Sequence, residues 1–171
     1  MRHILVPFDF SEAAQAALAY AVELSQQVPG RITLLHVIYT AKVTETLLGL
    51  DALEYLSKTL ELPAVSAGIA PSFNVDEVKK VAREKLEESI DATWRERVPI
   101  ETAFEEGRPS IKIVDYARDH EVDLIVMGTH GRGLVAQFFL GSVTENVIRS
   151  ATCPVLTVRG KPQAGSRAAD I

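Results

Sequence analysis

Residues 3–38 read HILVPFDFSEAAQAALAYAVELSQQVPGRITLLHVI, and this stretch decides the fold. The apolar runs at residues 3–8 and 31–38 are typical of strands that are buried on both faces of a sheet. Between them, the alanine-rich residues 13–28 predict a helix, with Ser11 as its N-cap. Two buried strands joined by one helix predict a right-handed βαβ unit with parallel strands.

The alternation of strands and helices continues through the second half of the chain. Residues 100–105 and the apolar runs at residues 123–127 and 154–158 predict three more strands. Helical spacing predicts one helix at residues 109–120 and another that begins near residue 141. The chain is therefore predicted to be an α/β protein with an open, doubly wound, five-stranded parallel sheet and helices on both faces.

Local signals refine three of the helices. Pro109 suits the first position of a helix, where its missing N–H costs no hydrogen bond. Ser142 and Glu145 match the Ser-x-x-Glu capping box, which predicts that Ser142 is an N-cap. A longer helix is predicted from Val75 to about Arg97.

Two stretches fall outside the minimal alternation. Residues 39–74 form a long connection, which predicts either a surface for a protein partner or a segment packed on the domain. Residues 161–171 are small and polar, which is typical of a mobile tail. The expected organisation is one domain over residues 1–160, with an insertion at 39–74 and a C-terminal tail.

Composition and charge exclude several classes of protein. The chain has 171 residues, 18 of them basic and 23 acidic, and a net charge of −5, which gives no electrostatic footprint for nucleic acid. Cys153 is the single cysteine and is expected to fill apolar space. Because Asp9 follows the first apolar run closely, we expect no signal peptide, and no apolar run approaches the ~20 residues of a membrane span. A cytoplasmic location is expected.

The segment that carries the chemistry reads VMGTHGRG at residues 126–133 and continues as LGSVT at 140–144. Glycines after a buried strand let consecutive main-chain N–H groups form an anion-binding nest. The helix that begins near Gly141 adds free N–H groups and a favourable dipole for phosphate. The alternative is that the glycines only turn the chain and Ser142 only caps the helix, and the spacing alone leaves both open.

The spacing Gly128-x2-Gly131-x9-Gly141-Ser142 resembles the ATP-binding signature of universal stress proteins. The flanking stretches at residues 4–11, 123–132, 141–148 and 153–159 are similar to the same family. The resemblance covers about 130 of the 171 residues and leaves out the insertion and the tail. It implies the ATP-binding subgroup of that family, with a Rossmann-like fold of the adenine nucleotide alpha hydrolase type.

The resemblance also implies which residues hold the nucleotide. Asp9 would be the side-chain acceptor for the adenosine end, and the backbone of Val37 would contact the adenine edge. The remaining residues with an implied role in nucleotide binding are Pro7, Phe8, Met127, Gly128, Thr129, His130, Gly131, Arg132, Gly133, Gly141, Ser142 and Val143. The implied cofactor is ATP or AMP, with Mg²⁺ as a companion of the phosphates. On the residues alone, roles other than nucleotide binding stay open. Asp9 could be a solvated turn carboxylate, Val37 a core valine and Arg132 a surface arginine.

Absent motifs weigh against an enzyme. The glycines lack the lysine of a Walker A loop, and no glycine follows the first strand as a dinucleotide fingerprint requires. Neither a metal-ligand cluster nor a base with suitable spacing is visible. A nucleotide-binding regulator of the stress response is therefore favoured. A slow ATP hydrolase or phosphotransfer protein is the first alternative, and an interaction module with a vestigial pocket is the second.

The resemblance implies a homodimer as well. In the family the last strand pairs across a two-fold axis, and Val155, Leu156, Thr157 and Val158 match that strand here. An apolar edge strand is a liability unless it is covered, which favours the same assembly.

Overall fold

The computed structural model describes residues 2–38, 75–129 and 140–160. The described strands are β1 (His3–Pro7), β2 (Arg31–Ile38), β3 (Ile100–Glu106), β4 (Leu124–Gly128) and β5 (Val155–Val158). The described helices are α1 (Glu12–Gln27), α2 (Val75–Glu88), α3 (Ala92–Arg95), α4 (Pro109–Asp119) and α5 (Ser142–Ser150). The predicted insertion at 39–74 and the predicted tail at 161–171 lie outside the described residues.

The five strands form one parallel sheet in the order β3-β2-β1-β4-β5, which confirms the predicted fold class. Ile4 of β1 pairs with Ile32 of β2 on one side and with Leu124 of β4 on the other. The chain thus winds outward in one direction from β1 to β3 and in the opposite direction from β4 to β5. Ligands of open α/β sheets bind where the winding reverses, at the carboxyl ends of the strands.

Each face of the sheet carries its own apolar core, because alternate strand residues point to opposite sides. Ile4 and Val6 pack with α1 and with Leu86 of α2. Leu5 packs on the opposite face with Ile113 of α4 and with α5. Helices therefore cover both faces, as predicted. No helix in the described ranges is long and apolar enough to cross a membrane.

The long helix predicted from Val75 to about Arg97 is wrong, because the chain forms α2 and the short helix α3 instead. The hydroxyl of Ser89 donates to the Lys85 carbonyl (2.8 Å), just beyond the last residue of α2. Asp91 then caps α3 by accepting the main-chain N–H of Thr93 (2.8 Å). Short polar side chains compete with the helix for its own backbone groups, and here they separate two helices.

The amino end of the sheet is closed by a polar network around the buried side chain of His3. Its Nδ1–H donates to the His120 carbonyl (3.1 Å), so Nε2 accepts from the hydroxyl of Thr33 (2.8 Å). Burial lowers the pKa of His3 below its usual value of 6.5. Asp123 accepts the main-chain N–H groups of Arg2 (2.6 Å) and His3 (2.9 Å), and these bonds lower the pKa of its carboxyl.

Candidate functional site

A cavity of about 320 Å³ opens at the carboxyl ends of β1, β2 and β4. Its volume lies at the lower end of the range of small-molecule sites, about 300–1,000 Å³. The predicted binding residues that line it are Pro7, Phe8, Asp9, Val37, Met127, Gly128, Gly141, Ser142 and Val143. Residues from four distant parts of the sequence thus meet at the point where the winding of the sheet reverses.

Asp9 lines the cavity and is held by the residue that caps α1. Ser11 donates to Asp9 Oδ1 through its main-chain N–H (3.1 Å) and through its hydroxyl (2.6 Å). The same hydroxyl accepts the N–H of Ala14 (3.1 Å), as predicted for an N-cap. Both bonds from Ser11 reach Oδ1, which leaves Oδ2 to accept from a ligand.

The start of α5 forms a second wall of the cavity, and here the predicted capping box is wrong. Gly141, not Ser142, is the N-cap, with φ −63° and ψ 146° and no side-chain cap bond. The Gly141 carbonyl accepts the N–H of Glu145 (2.9 Å), so the helix begins one residue earlier than the pattern predicts. Ser142 is the first helical residue, and its N–H has no partner within the helix. That N–H and the helix dipole favour an anion at this wall.

Gly128 has a packing role in addition to its place in the cavity lining. A Cβ at this position would lie 2.8 Å from Ala13 Cβ and 2.9 Å from the Ala13 carbonyl carbon. The Gly128 carbonyl accepts the hydroxyl of Thr144 (3.0 Å). The missing side chain therefore lets β4 pack against α1, while the backbone forms part of the cavity wall.

Thr129 is buried beside the cavity and connects neighbouring segments through its main chain. Its N–H donates to the Val158 carbonyl (2.9 Å), and its carbonyl accepts the N–H of Gly141 (2.8 Å). The second bond joins the two ends of the segment that contains residues 130–139. The predicted binding residues His130, Gly131, Arg132 and Gly133 belong to that segment and lie outside the described residues.

Sequence reasoning missed part of the lining. The additional lining residues are Ser11, Ala14, Leu35, His36, Pro109, Ile113 and Thr144. The signal for Pro109 was available, because it follows β3 closely and the carboxyl ends of parallel strands meet at one edge. His36 gave no such signal, because its role depends on a bond across the sheet to the residue after β1.

The lining of the cavity offers two unlike polar groups, the Asp9 carboxylate and the start of α5. Among the described lining residues, Asp9 is the only acidic side chain, and none is Lys or Arg. An anionic ligand would therefore point its negative group at α5 and its neutral, donor-bearing part at Asp9. Within the described ranges, no group of three His, Cys, Asp or Glu side chains could hold a metal ion.

The fold and the cavity define a doubly wound α/β domain with a crevice, lined by polar and apolar residues, at the carboxyl edge of its sheet. The model of the Universal stress protein family matches residues 1–159. The chain belongs to the universal stress protein family.

Two relatives from different organisms match over almost their whole length. The chain is 30% identical over 164 residues to universal stress protein MJ0577 of Methanocaldococcus jannaschii, which covers 94% of this chain and 96% of that protein. It is 31% identical over 160 residues to universal stress protein YxiE of Bacillus subtilis, covering 91% and 97%. The solved structure of MJ0577 is similar with a TM-score of 0.61 at 28% identity, covering 95% and 98% of the two chains.

A universal stress protein from Archaeoglobus fulgidus, solved in complex with dAMP, is similar with a TM-score of 0.59. It is 20% identical, and the alignment covers 92% of this chain and 98% of that one. At this identity the likeness concerns the fold.

Proposed function

We propose that the chain binds an adenine nucleotide, with ATP as the ligand, in the cavity at the carboxyl edge of the sheet. The observation that carries the proposal is the pairing of two unlike groups in the lining of one cavity. One is a carboxylate that can accept hydrogen bonds, and the other is the N-terminus of a helix. A nucleotide has the complementary arrangement, with hydrogen-bond donors on the nucleoside and negative charge on the phosphates.

The nucleoside half fits the end formed by β1, β2 and β4. Val37, Met127 and Ile113 supply apolar surface for a base. Oδ2 of Asp9 accepts a hydrogen bond from a donor of adenosine, either a ribose hydroxyl or the adenine amino group. The complex of the A. fulgidus relative with dAMP supports the choice of an adenine nucleotide.

The phosphate half fits the start of α5. The N–H of Ser142 and the dipole of α5 attract the charge without a lysine or arginine from the described lining. Nucleotide occupancy would then control the conformation or the partners of a stress-response regulator.

A matched pair of substitutions tests the phosphate half. Ser142→Pro removes a single N–H donor at the first helical position, where proline is favoured. Gly141 already has the extended conformation that precedes proline, so α5 is expected to persist. Ser142→Ala removes the hydroxyl and keeps the N–H. By calorimetry, we expect Ser142→Pro to weaken ATP binding about tenfold and Ser142→Ala less than threefold.

Two results would contradict the proposal. If the wild-type protein binds neither ATP nor AMP, and denaturation of freshly purified protein releases no adenine nucleotide, there is no such site. If both variants bind ATP as tightly as the wild type, the phosphates do not contact the start of α5. Mass spectrometry of the released molecule identifies the physiological nucleotide.

We also propose a homodimer formed through β5. The two edge strands of the sheet differ, since β3 carries ion pairs between Glu106 and Lys79 and between Glu105 and Lys112. By contrast, β5 reads VLTV and has no charged side chain. Charged side chains on an edge strand oppose pairing with a second chain, so β5 is the edge suited to association.

Light scattering tests the dimer at micromolar concentration. The wild type is expected to have twice the chain mass, and Thr157→Lys, at the exposed position of β5, is expected to shift the protein toward the monomer. Gln26→Lys adds the same charge on an exposed position of α1 and is the control. A monomeric wild type would contradict the proposal.

A further inference from the structure

His36 connects the carboxyl end of β2 to the loop that carries Asp9. The side chain is buried, and Nδ1 lies 2.7 Å from the carbonyl oxygen of Phe8. Because that oxygen can only accept, Nδ1 carries the proton and donates. A buried hydrogen bond of this length fixes both the imidazole and the Phe8 carbonyl.

The bond lies where the pairing of β1 with β2 ends. The N–H of Phe8 donates to the Leu35 carbonyl (2.8 Å), which continues the strand pairing by one more step. Beyond that bond the chain leaves the sheet toward Asp9. The hydrogen bond from His36 therefore fixes the carbonyl of Phe8, which is the first carbonyl beyond the last hydrogen bond between β1 and β2.

Phe10, which directly follows Asp9 in the loop, has a strained backbone that needs support. Phe10 has φ 63°, a left-handed conformation that costs a bulky residue about 1–2 kcal/mol. Its ring lies 4.8 Å from the His36 ring and 5.4 Å from the Phe8 ring, measured between centroids. On its other side, the His36 ring meets Phe104 of β3 at 6.1 Å. His36 thus contacts the residues on both sides of Asp9.

We propose that His36 is a positioning residue for Asp9, acting through its hydrogen bond to Phe8 and its contact with Phe10. The inference rests on the proposed nucleotide site, where Asp9 accepts from adenosine. If the bond is lost, the loop has more freedom, and Asp9 must be ordered again each time a ligand binds. That ordering weakens binding even though the ligand contacts themselves are unchanged.

A matched pair of variants isolates the donor. His36→Asn places its amide nitrogen close to the position of Nδ1, whereas His36→Leu has the same branched shape and no donor. Calorimetry with ATP is expected to show that His36→Leu weakens binding about tenfold and that His36→Asn recovers most of the loss. If His36→Leu fails to fold, His36→Gln replaces it, because its amide nitrogen lies nearer the position of Nε2 and misses Phe8.

A double-mutant cycle separates positioning from general stability. Asp9→Asn keeps the shape and lets Oδ1 accept from Ser11, but it replaces the accepting Oδ2 with an amide nitrogen that only donates. If His36 acts through Asp9, adding His36→Leu to Asp9→Asn causes little further loss of affinity. If the losses of affinity caused by His36→Leu and Asp9→Asn add up in the double variant, the positioning role is overturned. The same holds if His36→Asn and His36→Leu bind ATP with equal affinity. Failure of the wild type to bind ATP would instead refute the proposed function.

Discussion

The two ends of the parallel sheet use polar residues in opposite ways. At the amino end, His3 bonds to the Thr33 hydroxyl and to the His120 carbonyl, and Asp123 accepts from the main chain. At the carboxyl end, Asp9 and the start of α5 face a cavity of about 320 Å³. The first arrangement satisfies its polar groups within the protein, and the second leaves groups for a ligand.

Polar residues at the ends of buried strands therefore indicate different things. Those that bond within the protein indicate stability, and those that face a cavity indicate a binding site. Substitutions at the amino end should change the free energy of unfolding and leave ATP affinity unchanged. Substitutions at the carboxyl end should do the reverse, except where one residue serves both the packing and the cavity.

Gly128 is that exception and gives the largest expected effect on stability. Gly128→Ala places a Cβ within 2.8 Å of Ala13 Cβ, so the free energy of unfolding is expected to fall by about 1–3 kcal/mol. Urea denaturation measures the loss. Gly160→Ala is the matched control, because its Cβ would approach the N atom of the same Ala13 only to 3.3 Å. Equal losses in the two variants would mean that the closer approach of Gly128 to Ala13 adds no cost of its own.

Gly141 gives a smaller effect, mainly on binding. The backbone at Gly141 suits any residue, so Gly141→Val keeps α5 and costs under about 1 kcal/mol of stability as a poorer N-cap. Its added bulk at the phosphate wall is expected to weaken ATP binding about tenfold, or about 1.4 kcal/mol. Calorimetry and circular dichroism together measure both quantities. If Gly141→Val binds ATP as tightly as the wild type, the phosphates do not contact this wall.

The smallest expected effect is the pH dependence of stability at the amino end. The lowered pKa of His3 means that the unfolded chain binds a proton more readily than the folded protein. The free energy of unfolding therefore falls as pH drops below about 6.5, the usual pKa of histidine. The lowered pKa of Asp123 acts in the same direction at more acidic pH, below its usual value of 3.8.

A variant separates the contribution of His3 from the rest of the titration. His3→Gln cannot titrate, so its urea midpoint should fall less than that of the wild type between pH 7 and pH 5. If the urea midpoints of the two proteins fall by the same amount, the network around His3 does not resist protonation.

Much of the fold followed from the sequence because burial leaves a clear pattern. The apolar runs at residues 3–8 and 31–38 contain the strands β1 and β2, and Ser11 caps α1 as predicted. The break after α2 was missed, because periodicity extends through Ser89 and Asp91 while their side chains bond to the backbone. Helix starts are decided by such local bonds, which apolar spacing does not register.

The candidate site was less accessible to sequence reasoning for a different reason. Asp9, Val37 and Gly141 line the cavity, and the role in nucleotide binding that the family resemblance implies for them stays a prediction. The roles of Gly128 and His36 depend on contacts with Ala13 and Phe8, which belong to other elements of the fold. A glycine at the end of a strand indicates a place where a ligand approaches the backbone. That Gly128 is also needed for the packing of α1 against β4 is visible only in the structure.

Hydrogen–deuterium exchange with saturating ATP compares the two ends of the sheet in a single experiment and tests the nucleotide site most directly. The predicted result is slower exchange at residues 9–15 and 141–146, with no change at residues 2–4, 31–33 and 120–123. Protection that is equal at both ends, or found only at the amino end, would contradict a nucleotide site at the carboxyl edge.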